Sequence, residues 1–493
     1  MTYLIVRIWG EELGRLVWNS GNRQTYFLFN PEIANRPDVA PLLNPLETWE
    51  ITLPVYGDSR RIYQSLPPFL ADSLPDTWGN RLFDKWVKKN KIPRSKITPL
   101  YKLMFIGKRG MGALEFEPAA KELEYSHEVD LKSLYELSLA ILSDREAITL
   151  DSSGELTLDT LLAVGTSAGG RQMKAIIAIH PDTGEIRSGQ VDSLQGFDYF
   201  IIKFEDSIVP TSEIEIAIHK MAVQSGIDMT ECDLINIDGI NHFITKRFDR
   251  KNGKKIHIQT LAAINPEVSS YEELFDTCRT LNLSENEIAE LFRRLVFNVM
   301  SNNTDDHNKN FSFMLEKEGH WKLAPFYDAT FIFNKYATGP EEQRCLSLYG
   351  KVEDISKEDL ISIAKENNIR NAKGIISKVA ESLMQFPELA EKYQIPDKFR
   401  AIIQKTINSN LISMGFKEEQ GNMVFTDSVN MIDNIEFKLN SKGYYQVSAT
   451  INGILRKRFI KPGTADHTTL QNYELGLLNK QELYQAITHI FNL

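Results

Sequence analysis

Seven consecutive residues, Thr304-Asp305-Asp306-His307-Asn308-Lys309-Asn310, bring together two carboxylates, an imidazole, an ammonium and two amides. The apolar run Phe311-Ser312-Phe313-Met314-Leu315 follows, then a polar turn over 316–319, then Trp321-Lys322-Leu323-Ala324-Pro325-Phe326-Tyr327-Asp328. If 311–315 and 321–324 pair as a hairpin, the chain leaving Asn310 returns close to its start and brings Asp328 near Asn310. One carboxylate and one amide oxygen make an all-oxygen site, the ligand type that magnesium takes when its other positions are water or phosphate. Asp305 precedes Asn310 by the D-x-x-x-x-N spacing of the base and the metal-binding Asn in a kinase catalytic loop. Phosphoryl transfer needs these parts: a carboxylate for the incoming hydroxyl, and ligands for a cation that neutralises the transferring group. The competing reading is a polar helix end followed by a surface hairpin with solvated acids.

Three further segments carry chemistry. The stretch Val164-Gly165-Thr166-Ser167-Ala168-Gly169-Gly170-Arg171-Gln172-Met173-Lys174 lies between apolar runs. Its glycines permit unusual backbone angles, and with Ser167, Gly169, Gly170 and Lys174 it suits a loop whose amides cradle phosphate. No Gly-Lys-Ser/Thr stands at the spacing of a Walker A loop. Gly165-x-Ser167-x-Gly169 also matches the nucleophile elbow of serine hydrolases, but an elbow needs a helix directly after the serine and Ala175–Ile179 is β-rich. A plain flexible turn is the third reading. Lys203 ends the strand-like run Tyr199–Phe204, where an ammonium is costly without a partner. Glu215, on the helix that follows, is the candidate, since kinases pair a strand Lys with a helix Glu; otherwise Lys203 is an edge-strand residue reaching solvent. Lys246-Arg247-Phe248-Asp249-Arg250 leaves another strand and fits a hinge whose backbone holds an adenine edge while Phe248 packs on the base. Charged strand exits are common, so that pattern is weak by itself.

Order strengthens the set. Gly-rich loop, strand Lys, helix Glu, hinge, base with Asn, and metal Asp follow one another as they do in kinases. Chance assembly of all of them in order is far rarer than any one alone.

The elements needed to position these residues can be read from periodicity. Leu4, Val6 and Ile8 alternate with Ile5, Arg7 and Trp9 in strand fashion, and Trp78, Leu82, Phe83 and Trp86 recur at helical spacing. Glu213 to Ser225 predicts a helix with Ile214, Ile218, Met221 and Ala222 on one face and Gly226 as its stop. Ser284-x-x-Glu287 is a capping box opening a helix that Asn302–Asp305 ends. In the tail, Ser441-Lys442-Gly443 and Asn452-Gly453 signal hairpins, and Gln481 to Phe491 a last helix. The expected division is a small α+β domain over 1–125, a strand-rich lobe with the glycine loop over 126–260, a helical lobe with the catalytic loop over 261–410, and a β-rich extension of unknown role over 411–493.

Composition sets the outer bounds. The 493 residues, 42% hydrophobic and 25% charged, are ordinary for a globular multidomain chain. With 56 Lys plus Arg against 66 Asp plus Glu, the net charge of -10 disfavours direct, general binding of nucleic acid. Cys232, Cys278 and Cys345 lie too far apart for a disulfide framework or a four-ligand zinc site, and the histidines include no H-E-x-x-H pair. No apolar run is long enough to cross a membrane. A cytoplasmic protein is expected.

Taken together, Gly165-x-Ser167-x-Gly169-Gly170-Arg171-x-x-Lys174, Ile201-Ile202-Lys203, Arg247-Phe248-Asp249-Arg250, Asn302-x-Thr304-Asp305-Asp306-His307-x-Lys309-Asn310 and Pro325-x-Tyr327-Asp328 resemble the HipA family. Leu66-Pro67-Pro68-Phe69 with Leu74-Pro75 resembles that family's N-terminal subdomain. The resemblance covers about 1–410 and leaves the tail without a counterpart. It implies an α+β, two-lobed fold of the protein-kinase-like and phosphoinositide-kinase-like kind, with an N-terminal subdomain and a β-rich C-terminal appendage. It implies an ATP- and Mg2+-dependent serine/threonine kinase toxin that phosphorylates a protein of the translation machinery and arrests growth. The implied partner is a helix-turn-helix antitoxin of HipB type, with DNA met only through that antitoxin and no membrane involved. By the same resemblance, Asp305 is the base, Asn310 and Asp328 hold magnesium, Lys203 contacts phosphate, His307 lies beside the nucleotide, and Ser167 is autophosphorylated. Lys246 and Phe248 complete the expected nucleotide site. Three alternatives stay open: a small-molecule or lipid kinase, a serine hydrolase using Ser167, and an inactive binding subunit acting through the tail.

Overall fold

The alternation at the N-terminus forms a sheet. The computed structural model describes residues 3–34, 54–120, 128–143, 161–162, 172–190, 194–251, 253–317, 319–419, 422–425, 432–439, 445–451, 454–462, 464–474 and 490. Ser167, Gly169 and Gly170 therefore lie outside the described residues, as do nearly all of the expected final helix and the tail's hairpin turn residues. Strands β1 (Tyr3–Ile8), β2 (Glu11–Asn19), β3 (Gln24–Phe29), β4 (Val55–Tyr56) and β5 (Leu114–Glu117) pair in the order β4-β3-β2-β1-β5. Leu4, Val6 and Ile8 are buried while the alternate residues are more exposed, as a period of two requires. The Thr77–Lys89 helix buries Trp78, Leu82, Phe83 and Trp86, and Phe105 of the Pro99–Ile106 helix meets Phe83 edge-on.

The second sheet is antiparallel. Strands β6 (Lys174–Ile179), β7 (Ile186–Ser188), β8 (Asp198–Lys203), β9 (Cys232–Ile237) and β10 (Ile240–Lys246) take the order β7-β6-β8-β10-β9. The Thr211–Gln224 helix connects β8 to β9 and buries Ile214, Ile218, Met221 and Ala222, the predicted face. Its start is tied down by Glu205, whose Oε2 accepts from Ser212 N and Thr211 Oγ1, both at 2.8 Å. β10 stops at Lys246, so Arg247 and Phe248 belong to the connection that follows it.

Helices then dominate. The Glu285–Ser301 helix opens with the predicted capping box between Ser284 and Glu287 and ends at Asn302, whose φ of 62° reverses the chain. A small sheet pairs His257–Thr260 with Ser312–Leu315, and Ser312–Leu315 with Trp321–Leu323, which is the expected hairpin. The chain divides into two units, Met1–Asn410 and Leu411–Leu493. In the second, Ile432–Leu439, Tyr445–Ile451 and Ile454–Ile460 form a three-stranded antiparallel meander. Among the described residues no helix is long and apolar enough to cross a membrane.

Candidate active site

Lys203 sits at the end of β8, opposite Phe243 of β10 on one side and Lys174 of β6 on the other. Its ammonium donates to Glu215 Oε1 at 2.5 Å and to Asp328 Oδ1. Glu215 comes from the second turn of the helix that Glu205 anchors, so helix and strand together fix this pair. Burial opposes charge throughout the cluster, but the carboxylates of Asp328 and Glu215 outweigh it and raise Lys203 above the ordinary amine range. Asp328 is held below the usual carboxylate range because Lys203, with Lys174 behind it, outweighs its burial. Glu215 is pushed up to about 7 by burial, with Asp328 adding to the effect and Lys203 opposing it. A single ammonium is thus shared by two acids.

Asp328 is delivered by the hairpin. The Tyr327 hydroxyl donates to the Lys309 carbonyl at 2.8 Å and lies 2.6 Å from Ser312 Oγ, which binds the residue beside Asp328 to the start of the hairpin. Asp328 has a φ of 55°, a left-handed conformation that Asp tolerates better than most residues and that concentrates at functional positions.

In the loop after Asn302, two adjacent aspartates have opposite surroundings. Asp305 is half exposed and stands 3.7 Å from His307 Nε2. Partial burial raises its pKa above the ordinary carboxylate value; His307 opposes the shift, and Asp328 and Asp306 add to it. Asn310 Nδ2 donates to the Asp305 carbonyl at 2.6 Å, which leaves Asn310 Oδ1 as the oxygen donor. Asp306 is buried and accepts from Tyr271 Oη at 2.6 Å, an Arg344 amine at 2.8 Å and Cys345 N at 2.9 Å. It anchors the loop to the segment that follows the hairpin. Two neighbouring aspartates of one type give no local signal of this split, and Arg344 lies too far along the chain to be paired with Asp306 by spacing.

The remaining candidates spread around this centre. Lys174 is buried beside Lys203 in register, and its ammonium points to Asp76 of the Thr77–Lys89 helix cap at 3.4 Å. The sequence reading had not found Asp76. The Lys246 ammonium is engaged by Asp198 at 3.0 Å and Glu231 at 3.7 Å, so the side chain does not join the Lys203 cluster. Phe248 packs against Tyr327 with ring centroids 5.8 Å apart, which brings the hinge segment beside the residue that precedes Asp328. Arg247, Asp249 and Arg250 form a separate buried cluster. Since β6 starts at Lys174, only residues 168–173 remain after Ser167 for the helix that a nucleophile elbow requires.

Comparison with known proteins adds the family. The HipA N-terminal domain matches residues 4–117 and the HipA-like C-terminal domain residues 166–408, so the tail falls outside both. A Haemophilus influenzae protein bearing the name "Putative kinase" is 32% identical over 166 residues, 29% of this chain and 48% of that protein. A Sinorhizobium fredii protein with a name of the same kind is 25% identical over 205 residues, 37% of this chain and 50% of that protein. The chain spans about half the length of these curated relatives. HipA in the Shewanella oneidensis toxin–antitoxin complex of HipA, HipB and operator DNA shares 15% identity at a TM-score of 0.55, covering 83% of this chain and 96% of that one. The fold is therefore α+β, two-lobed and kinase-like. With matches to both of its characteristic domains, this chain belongs to the HipA family.

Proposed function

We propose that this chain is an ATP- and Mg2+-dependent protein serine/threonine kinase. The observation that carries the reading is the cluster in which Lys203 bridges Glu215 and Asp328 while Asn310 is bonded to the Asp305 backbone. A strand Lys paired with a helix Glu, a carboxylate at the metal position, and a base tied to its Asn are the parts that phosphoryl transfer uses. Asp305 is the base: it orients the acceptor hydroxyl and takes its proton as the γ-phosphoryl group passes to that oxygen and ADP departs. Lys203 neutralises nucleotide phosphate, and Glu215 holds it in place. Phe248 and the backbone from Lys246 border the base, with His307 on the loop side. By family, Ser167, Gly169, Gly170 and Lys174 are the residues expected to meet the phosphates, and Ser167 is the expected autophosphorylation position.

The donor set fits magnesium. Asp328 offers a carboxylate that burial has not neutralised, and Asn310 an amide oxygen left over from its bond to Asp305; both are hard oxygen donors. Bound there with ATP, the ion would supply charge neutralisation at the transferring phosphoryl group.

The Shewanella oneidensis relative is found with HipB and operator DNA, which supports a helix-turn-helix antitoxin as partner here and contact with DNA only through it. A protein of the translation machinery is the expected acceptor by family. The test is to incubate the purified chain with labelled ATP and magnesium and locate the phosphate by mass spectrometry. Transfer to a Ser or Thr, Ser167 included, is expected. Asp328→Asn should raise the magnesium concentration needed for half-maximal rate about tenfold or more, because the second ligand and the phosphates alone hold the ion less well. Hydrolysis of acyl esters without metal, abolished by Ser167→Ala, would overturn the assignment.

A further inference from the structure

Lys174, the last residue of the glycine-rich stretch, is held from outside its own sheet. The Thr77–Lys89 helix belongs to the N-terminal domain, yet its N-terminal end meets Lys174 twice. Trp78 Nε1 donates to the Lys174 carbonyl at 2.9 Å, a buried bond. Asp76 Oδ2 stands 3.4 Å from Lys174 Nζ, with the two side chains 8% and 3% exposed. The other Asp76 oxygen caps the helix, accepting from Gly79 N at 2.5 Å.

The position of Lys174 gives this grip its meaning. Residues directly opposite in an antiparallel pair present their side chains on the same face, so Lys174 and Lys203 leave β6 and β8 together. Burial pushes the Lys174 ammonium below the ordinary amine range and Lys203 adds to that shift, while Asp76 from the N-terminal domain, followed by Asp328 from the segment after the hairpin, opposes it. Asp328 is already in contact with Lys203. A buried ammonium without a counter-charge is costly, and Asp76 is the carboxylate that meets it.

We infer that Asp76 is a positioning residue of the phosphotransfer site, holding Lys174 charged and oriented toward nucleotide phosphate, so that the N-terminal domain completes the nucleotide site. The inference rests on the kinase reading of Lys203, Asp305, Asn310 and Asp328. The competing role is purely structural: a helix cap that happens to lie near a lysine.

A double-mutant cycle in the full chain separates them. Asp76→Asn keeps an acceptor for Gly79 N and nearly the same volume but removes the charge. Its ATP KM should rise about tenfold, because the Lys174 ammonium loses its nearest counter-charge, with kcat changed less than about threefold. Lys174→Met should raise KM at least as much, since it also removes the group that meets phosphate, and the double variant should be no worse than Lys174→Met alone, because Asp76 acts only through Lys174. If Asp76→Asn folds poorly, Asp76→Ser, another good cap without the charge, gives the same comparison. Fold-changes in KM that multiply in the double variant, or a lowered melting temperature with an unchanged ATP KM, would overturn the inference while leaving the kinase reading intact. A wild-type chain that binds ATP but transfers no phosphoryl group would overturn the kinase reading itself.

Discussion

Two clusters of buried charge lie at opposite ends of the β8–β10 pair, with the charges reversed in proportion. In the first, Lys203 is shared between Glu215 and Asp328. In the second, Asp249 is shared between Arg247 and Arg250. Arg247 Nε meets Asp249 Oδ1 at 2.8 Å and an Arg247 amine meets Oδ2 at 2.6 Å, while Arg250 and the Gly112 amide both donate to Oδ2. The surplus guanidinium hydrogens go to the carbonyls of Gly189, Gly110 and Gly112. Burial opposes the Asp249 charge, but the two arginines hold it far below the carboxylate range. This cluster is closed: a planar fork fixes Arg247 on both carboxylate oxygens, and Gly110 and Gly112 of the N-terminal domain supply further partners. The Lys203 cluster is open. It has more acceptor capacity than donors, one acid shifted toward neutrality, and a flexible ammonium as its only bridge, so Asp328 can be ceded to another cation. The closed cluster joins domains; the open one leaves room for a ligand.

If that contrast is right, damage to the open site should show in rate and damage to the closed one in stability. The largest effect is expected at Asp305, which is half exposed and bonded to little else. Asp305→Ala should lower kcat by about 10²–10⁴-fold, the usual contribution of a positioned base, with ATP affinity and melting temperature nearly unchanged. Steady-state kinetics with a parallel thermal melt checks this, and comparable turnover in the variant would break the open side of the contrast.

Asp249→Ala tests the closed side. It leaves two buried guanidiniums and the Gly112 amide without their shared acceptor, and breaking a buried pair in this way costs about 3–5 kcal/mol. Denaturant unfolding should show that loss, while the fraction that remains folded keeps its ATP KM. A rate defect at unchanged stability would mean that Asp249 serves the site directly and that the two clusters are not distinct in kind.

What could be read from sequence was what is local or periodic. Asp305 and Asn310 are five apart, the hairpin that returns Asp328 spans fewer than twenty residues, and Lys203 and Glu215 are twelve apart across one strand–helix step. All of these fall within one supersecondary unit, where spacing constrains geometry. The hydrophobic faces of the Thr77–Lys89 and Thr211–Gln224 helices were legible for the same reason. The contacts that attach the N-terminal domain were not. Asp76 with Lys174, Asp72 with Thr260 N at 2.7 Å, and the Tyr63 hydroxyl with the Ala262 carbonyl at 2.7 Å join positions about one to two hundred residues apart. No period or turn signal links such pairs; only packing of the assembled sheets brings them together. The opposite roles of Asp305 and Asp306 were illegible too, since burial is decided by Tyr271 and Arg344 from other elements.

Acidification offers the smallest but most selective test, because the clusters respond in different pH ranges. The strand His257–Thr260, which pairs with the strand leaving the catalytic loop, carries a third kind of buried polar group, an imidazole with no charged partner in hydrogen-bonding contact. His257 is fully buried, with Nε2 3.1 Å from Gln259 Oε1, and burial lowers its pKa to about 4. An unfolded histidine titrates near 6.5. Between those values the unfolded chain binds the extra proton, so stability from the neutral imidazole is present above about pH 6.5 and is lost as pH falls toward 4. The slope is about 1.4 kcal/mol per pH unit, and the total is about 3 kcal/mol. Asp249, whose pKa is depressed, keeps its contribution across this window and loses it only below the ordinary carboxylate range near pH 4. Urea unfolding of wild type and His257→Gln at pH 7, 6, 5 and 4 should therefore give curves that converge on acidification, with the variant losing less. Asp249→Ala should track wild type in slope from pH 7 to 5 at a constant offset. Parallel slopes for wild type and His257→Gln would show that the imidazole is hydrated or partnered in solution. An Asp249→Ala offset that varied between pH 7 and 5 would show that the closed cluster exchanges protons in this range.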